Sequence, residues 1–182
     1  MIDWDFNAWG GKYAFEKDAA VVKHLCERFG WARHVPGLVM EGGALEVNGE
    51  GDLLTTESVL LNPNRNPGYS QEQLTQALKE SLGVEQVLWL GDGLEGDDTD
   101  GHIDDIARFV SASRVLVVAP PDGHPDAAAM NANIDRLKGF KASKTQKHFE
   151  VLTLPSPEPV RFGDEHLPAS YANFYIANRC VL

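Results

Sequence analysis

Cysteine is scarce in this 182-residue chain: there are two, Cys26 and Cys180. Two cysteines make no disulfide framework, and a reducing compartment is the default. Positive charge is also short. Lys and Arg number 16 against 27 Asp and Glu, a formal net charge of −11. That balance argues against nucleic acid as a partner, because phosphate neutralisation needs basic patches. No apolar run approaches the ~18 residues of a membrane span. The opening MIDWDFNAWGGKY is acidic and aromatic, unlike a signal or transit peptide. There is no HExxH, and no second histidine at helical spacing from His102. These absences set the first expectation: a cytoplasmic protein that binds neither nucleic acid nor membrane and whose acidic surface suits small cations.

What is present suffices for a core. Hydrophobic residues make up 43% of the chain, with four Trp and eight Phe. Three helices are predicted from apolar spacing. The first runs from about Asp18 to Phe29, with Val21, Val22, Leu25, Cys26 and Phe29 on one face and Gly30 as its stop. The second begins at Ser70, whose spacing to Gln73 is that of a capping box. Leu74, Ala77, Leu78 and Leu82 form its stripe and Gly83 ends it. The third carries Met130, Ile134 and Leu137 before Gly139. Each helix leads into a β-like run: ARHVPGLVMEGG, VEQVLWLGDG and HFEVLTLPSP. Each run leads through a loop to a hairpin. The first hairpin turns at Asn48-Gly49, the second near Ser113 and the third near Asn178.

The order helix, strand, loop, hairpin therefore repeats. Glu41-Gly42-Gly43 and Asp100-Gly101-His102 hold matching places in successive units, roughly 60 residues apart. Such units bury little alone, and a ring of them would bury more.

The chemistry concentrates in residues 96–105, GDDTDGHIDD. Aspartates this close raise one another's pKa unless something positive sits among them. An EF-hand fails: with Gly101 at position 6, Gly96 falls at 1 and Ala107 at 12. A transition metal could use His102 and Asp104. A guanidinium is the other candidate, because carboxylates match its fork of N–H donors in bidentate pairs and an adjacent histidine can move protons. A solvated acidic turn is the third reading, and composition alone does not choose among them.

Five blocks carry a family resemblance: FNAWGGKY, EGGALEVNGEGDLLTTE, LLNPNRNP, GDDTDGHIDDIARFV and ASYANFYIAN. In this order they resemble the agmatine deiminases, the bacterial branch related to peptidyl-arginine deiminase. The resemblance implies a pentein fold, an α/β propeller of five repeats. Residues 1–182 would then be a single partial pentein domain of about two and a half ββαβ-like repeats, the middle of a larger enzyme lacking both ends.

The resemblance also implies roles. His102 is the catalytic histidine, Asp104 the acid that grips the guanidinium, and Glu41 the acid that orients His102. Asp98 and Asp100 are open between substrate placement and loop structure. The family's nucleophilic Cys has no counterpart here, and both cysteines are expected to be inert buried thiols, Cys180 within a hairpin strand. The implied reaction converts agmatine and water to N-carbamoylputrescine and ammonia, a step of putrescine biosynthesis, without cofactor or metal and in a protein that can form a homo-oligomer. The isolated chain is expected to be inactive. A protein-arginine deiminase, or a non-catalytic ligand-binding or interaction protein, is the alternative.

Overall fold

Near the start of the chain, residues 8–11 form a run of left-handed backbone. Ala8, Trp9, Gly10 and Gly11 have φ of 53, 56, 92 and 82°. L-residues resist this region and glycine does not. The Asn7 side chain holds the turn by accepting from the Gly10 amide at 2.9 Å. In the computed structural model, which describes all of residues 1–182, this turn is α1 (Ala8–Gly11). Helices α2 (Glu16–Ala19) and α3 (Val21–Phe29) follow, and Gly30 ends α3 in the left-handed conformation as expected.

Two units of the same topology form the body. In the first, β1 (Glu46–Val47) and β2 (Asp52–Thr56) are an antiparallel hairpin turning at Asn48-Gly49. The chain then passes through α4 (Glu57–Leu60) and α5 (Gln71–Leu82) to β3 (Gln86–Leu90), which pairs parallel to β2 with Asp52 opposite Gln86. Both halves of the Ser70–Gln73 capping box form. In the second unit, β4 (Ala107–Ser111) and β5 (Arg114–Ala119) are the hairpin. Helix α6 (Ala127–Gly139) then leads to β6 (Glu150–Pro155), parallel to β5. A crossover helix is the usual link between parallel neighbours. This is a mixed α/β fold of repeated ββαβ order.

Strand β2 shows how the core is shared. Successive strand residues face opposite sides, and Leu53 and Leu54 are both fully buried but serve different clusters. Leu53 packs with Val59, Leu60, Leu74 and Leu78. Leu54 joins the larger cluster built around β4–β6 and α6, with Val115, Val117, Met130 and Leu137. Each such leucine is worth about 2–5 kcal/mol against alanine.

The structure departs from the sequence reading in several places. The run at 32–43 is not a strand. It makes only two parallel bridges, Ile2 to His34 and Asp5 to Val39. Pro36 has no N–H to give a ladder, and Gly37 turns left-handed at φ 72°. The apolar face of α3 does not pack inward: Val21 is 49%, Leu25 37% and Phe29 57% exposed, and Cys26 alone is buried. Cys180 is not a buried thiol. It is exposed, because residues 176–181 form a turn with the single bridge Ile176 to Val181 and not the expected hairpin strand. A hairpin unseen in the sequence, β7 (Val160–Phe162) with β8 (Glu165–Leu167), lies between β6 and that turn. No helix is long and apolar enough to cross a membrane.

Candidate active site

The last two residues of β2 brace two loops. Thr55 donates its hydroxyl to the Ala44 carbonyl at 2.8 Å, and Thr56 donates to the Gly101 carbonyl at 2.5 Å. Both hydroxyls are buried. The first loop is a 3-10 turn, Gly42–Ala44, directly after Glu41. The second carries His102 into another 3-10 turn, Ile103–Asp105. Side chains at 55 and 56 point to opposite faces of a strand, so one short strand end fixes both loops.

Asp97 ties the second loop to itself. Its Oδ1 accepts from the Thr99 amide and hydroxyl at 2.8 and 2.6 Å, and its Oδ2 accepts from the amides of Gly101 and His102 at 3.0 and 3.1 Å. Backbone contact completes the brace. A Cβ on Gly93 would stand 2.2 Å from the Gly101 Cα, so the two chains meet there glycine to glycine.

These braces bring Glu41, His102 and Asp104 together. His102 Nε2 lies 3.6 Å from Glu41 Oε2, and His102 Nδ1 lies 3.9 Å from Asp104 Oδ1. Neither separation is a hydrogen bond. Four buried side-chain polar atoms in the chain have no hydrogen-bond partner, and three are Glu41 Oε2, His102 Nε2 and Asp104 Oδ1. Buried polar atoms are rarely left so. All three residues line one cavity of about 650 Å³. Its lining also includes the apolar Trp4, Phe6, Trp9 and Met40 and the polar Asp18 and Thr99. No Lys or Arg lines it.

Burial is the chief reason that the Asp104 carboxyl titrates above its ordinary 3.8. Neighbouring Asp105 adds to the rise, and His102 and Arg108 oppose it. Asp105 is raised too, by burial first and then by Asp97, against a hydrogen bond from Asn173. No three His, Cys, Asp or Glu side chains gather as metal ligands.

Asp98 and Asp100 lie elsewhere in the loop and do not line the cavity. Asp98 Oδ2 accepts from the Tyr13 hydroxyl at 2.6 Å, and this bond holds the Tyr13 phenol above its usual range. Asp100 accepts from Lys12 Nζ at 2.8 Å, Asn64 Nδ2 at 3.0 Å and Arg65 Nη1 at 2.6 Å. Burial pushes Asp100 up, but these three bonds together outweigh it and hold the carboxyl below its ordinary value. Lys12 and Arg65 are therefore the positive charges among the outer aspartates.

Sequence reasoning passed over Arg65. Its side chain is 0% exposed and bonds Glu41 Oε1 through Nε at 2.7 Å. A signal existed: an arginine flanked by asparagines and prolines, in a chain with an acid-rich loop that needs a counter-charge. Cys26 and Cys180 are both outside the cavity lining.

The sequence profile of the Porphyromonas-type peptidyl-arginine deiminases matches residues 1–182. The chain belongs to that family. A Legionella pneumophila (strain Paris) protein named "putative agmatine deiminase" is 42% identical over 185 residues, covering 100% of this chain and 53% of the relative. The crystal structure of a Porphyromonas gingivalis protein described as a "putative arginine deiminase" superposes with a TM-score of 0.92 at 41% identity, over 99% of this chain and 55% of that one. A cysteine-to-serine agmatine deiminase from C. jejuni, solved with substrate bound, gives a TM-score of 0.88 at 36% identity, over 99% of this chain and 53% of that one. This deiminase-family chain thus spans about half the length of the curated relatives it matches.

Proposed function

We propose that this chain carries the histidine and two acids of the guanidinium site in an agmatine deiminase-type hydrolase. The observation that carries the reading is that Glu41, His102 and Asp104, each with a buried polar atom left unpartnered, line one cavity without a Lys or Arg in its lining. A planar cation with a fork of N–H donors supplies what those atoms lack. Asp104 grips the guanidinium edge, and Glu41 orients His102. Aromatic walls suit an aliphatic chain and can face a cation.

In this reading a thiolate adds to the guanidinium carbon, forming a C–S bond. The C–N bond to ammonia breaks as the His102 imidazolium gives up its proton to the leaving group. Neutral His102 then takes a proton from water as the water oxygen adds to the same carbon, and the C–S bond breaks. Agmatine becomes N-carbamoylputrescine and ammonia, a putrescine-forming route, with no cofactor. Neither Cys26, buried on α3, nor the exposed Cys180 lies at the cavity, so neither is the attacking thiolate. The ββαβ units are read as part of a pentein-type propeller, with residues 1–182 one partial domain of about two and a half repeats. Cytoplasmic location and homo-oligomer formation belong to the same reading. Agmatine suits this cavity because Asp18 in its lining can meet the ammonium at the far end of the substrate.

Assaying ammonia release tests the assignment of the thiols. The purified 182-residue chain is expected to release none from agmatine, and Cys180→Ser is expected to change nothing. N-carbamoylputrescine formed by the chain and lost in Cys180→Ser would contradict it.

A further inference from the structure

The chemistry above gives Arg65 no part, yet its guanidinium touches both site loops. Nε donates to Glu41 Oε1 at 2.7 Å. Nη1 donates to Asp100 Oδ2 at 2.6 Å and Asn64 Oδ1 at 2.7 Å, and Nη2 donates to the Thr99 carbonyl at 3.0 Å. Thr99 lines the cavity, and its hydroxyl lies 3.4 Å from the His102 amide. The cation is sealed from water. A Cβ on Gly10 would sit 2.8 Å from Nη1, so the left-handed turn at residues 8–11 closes over the guanidinium as backbone.

We propose that Arg65 is the positioning residue of this site. Its rigid fork takes one oxygen of Glu41 and leaves the other, Oε2, turned toward His102, while its far edge holds the His102 loop through Asp100 and Thr99. A point-charge lysine could not hold both sides at once, because the geometry depends on a planar fork. The same contact supplies the paired charge that a carboxylate out of water needs. The ionisable groups around Glu41 are Arg65 and His102 in contact, Asp104 across the Gly43 turn, Asp100 and Lys12 behind Arg65, and Asp18 elsewhere in the cavity lining. The inference rests on the proposed guanidinium site for what the positioned groups do, but its test needs no ligand.

The Glu41 carboxyl carbon and the His102 ring can be followed by NMR in the ligand-free chain. Arg65→Gln is expected to raise the Glu41 midpoint by about one pH unit or more, a tenfold gain in proton affinity. Lys12→Gln removes a cation that bonds Asp100 and not Glu41, and is expected to leave the Glu41 midpoint close to that of the parent. An Arg65→Gln chain that folds and titrates Glu41 like the parent would overturn the proposal. So would an equal rise in Lys12→Gln.

Should Arg65→Gln fail to fold, Arg65→Lys decides. It keeps the charge and gives up the fork, so Glu41 can swing away from the imidazole. His102 is then expected to titrate lower, toward the midpoint in Glu41→Gln, with no further fall in the double variant. A parent-like His102 in Arg65→Lys would reduce Arg65 to a brace of the fold. A chain that fails to bind guanidines would count against the proposed function and leave these titrations unaffected.

Discussion

Gly43 and His102 are in backbone-to-ring contact that leaves no room for a side chain. A Cβ at position 43 would lie 2.5 Å from His102 Nδ1, and 2.8 Å from Asp104 Oδ2. Gly43 is absent from the positive-φ glycines. Space, and not backbone conformation, therefore demands glycine here.

Gly43→Ala should displace the His102–Asp104 pair. Overpacking of this kind costs about 1–3 kcal/mol, visible as a lower Tm. The larger effect is expected on ligand affinity, because both displaced residues line the cavity. Comparing Tm with the agmatine affinity of the variant checks this, and Gly42→Ala, with open space at its Cβ, is the matched control.

Asp97 carries the second loop on its two oxygens. Asp97→Ala leaves the Gly101 and His102 amides without their acceptor, and hydrogen bonds to a charged group are worth about 1.5–3 kcal/mol. Faster hydrogen exchange at those two amides is expected, with the exchange of β5 unchanged.

Asp104 and Asp105 should make stability fall as the solution is made less acidic. Their folded-state pKa values are raised, chiefly by burial. The folded chain therefore binds these protons more tightly than the unfolded chain does. The stabilisation is fully present below the ordinary 3.8 and is lost as pH rises through the raised value. Asp104→Asn should accordingly raise Tm near pH 7 and flatten its pH dependence, with parent and variant converging in acid. Thermal melts across pH 3–8 measure it.

Local chemistry was legible in the sequence wherever the cause was local. Ser70 and Gln73 mark a helix start because the two cap each other, and Asn48-Gly49 marks a turn because only such residues accept its backbone. Met130, Ile134 and Leu137 lie on one helix face and are buried together. Residues 32–43 misled because their apolar content suggests a strand, while Pro36 and Gly37 deny it a ladder. The helix at Val21–Phe29 is amphipathic as read, but amphipathicity does not say whether a partner covers the face.

The same division holds in the candidate site. Glu41 and His102 were each visible as members of short motifs, but their 3.6 Å approach depends on Thr55 and Thr56 in a third segment. Asp98 and Asp100 stayed open between substrate placement and loop structure in the sequence, because Lys12, Tyr13 and Arg65, which occupy them, are distant along the chain. Arg65 stood in a visible motif, NPNRNP, but nothing next to it in sequence is acidic, so its partners Glu41 and Asp100 could be found only in the fold.

The central claim is that Glu41, His102 and Asp104 together make a guanidinium site. Titrating the chain with agmatine while following the His102 ring and the Gly43 amide by NMR tests it most directly. Saturable shifts at both residues are expected, unaffected by EDTA, with affinity falling by about 1.5–3 kcal/mol in Asp104→Asn through loss of one charge-assisted grip. Resonances that do not move with agmatine, an Asp104→Asn chain that binds it as tightly as the parent, or binding that appears only with an added divalent metal would contradict the claim.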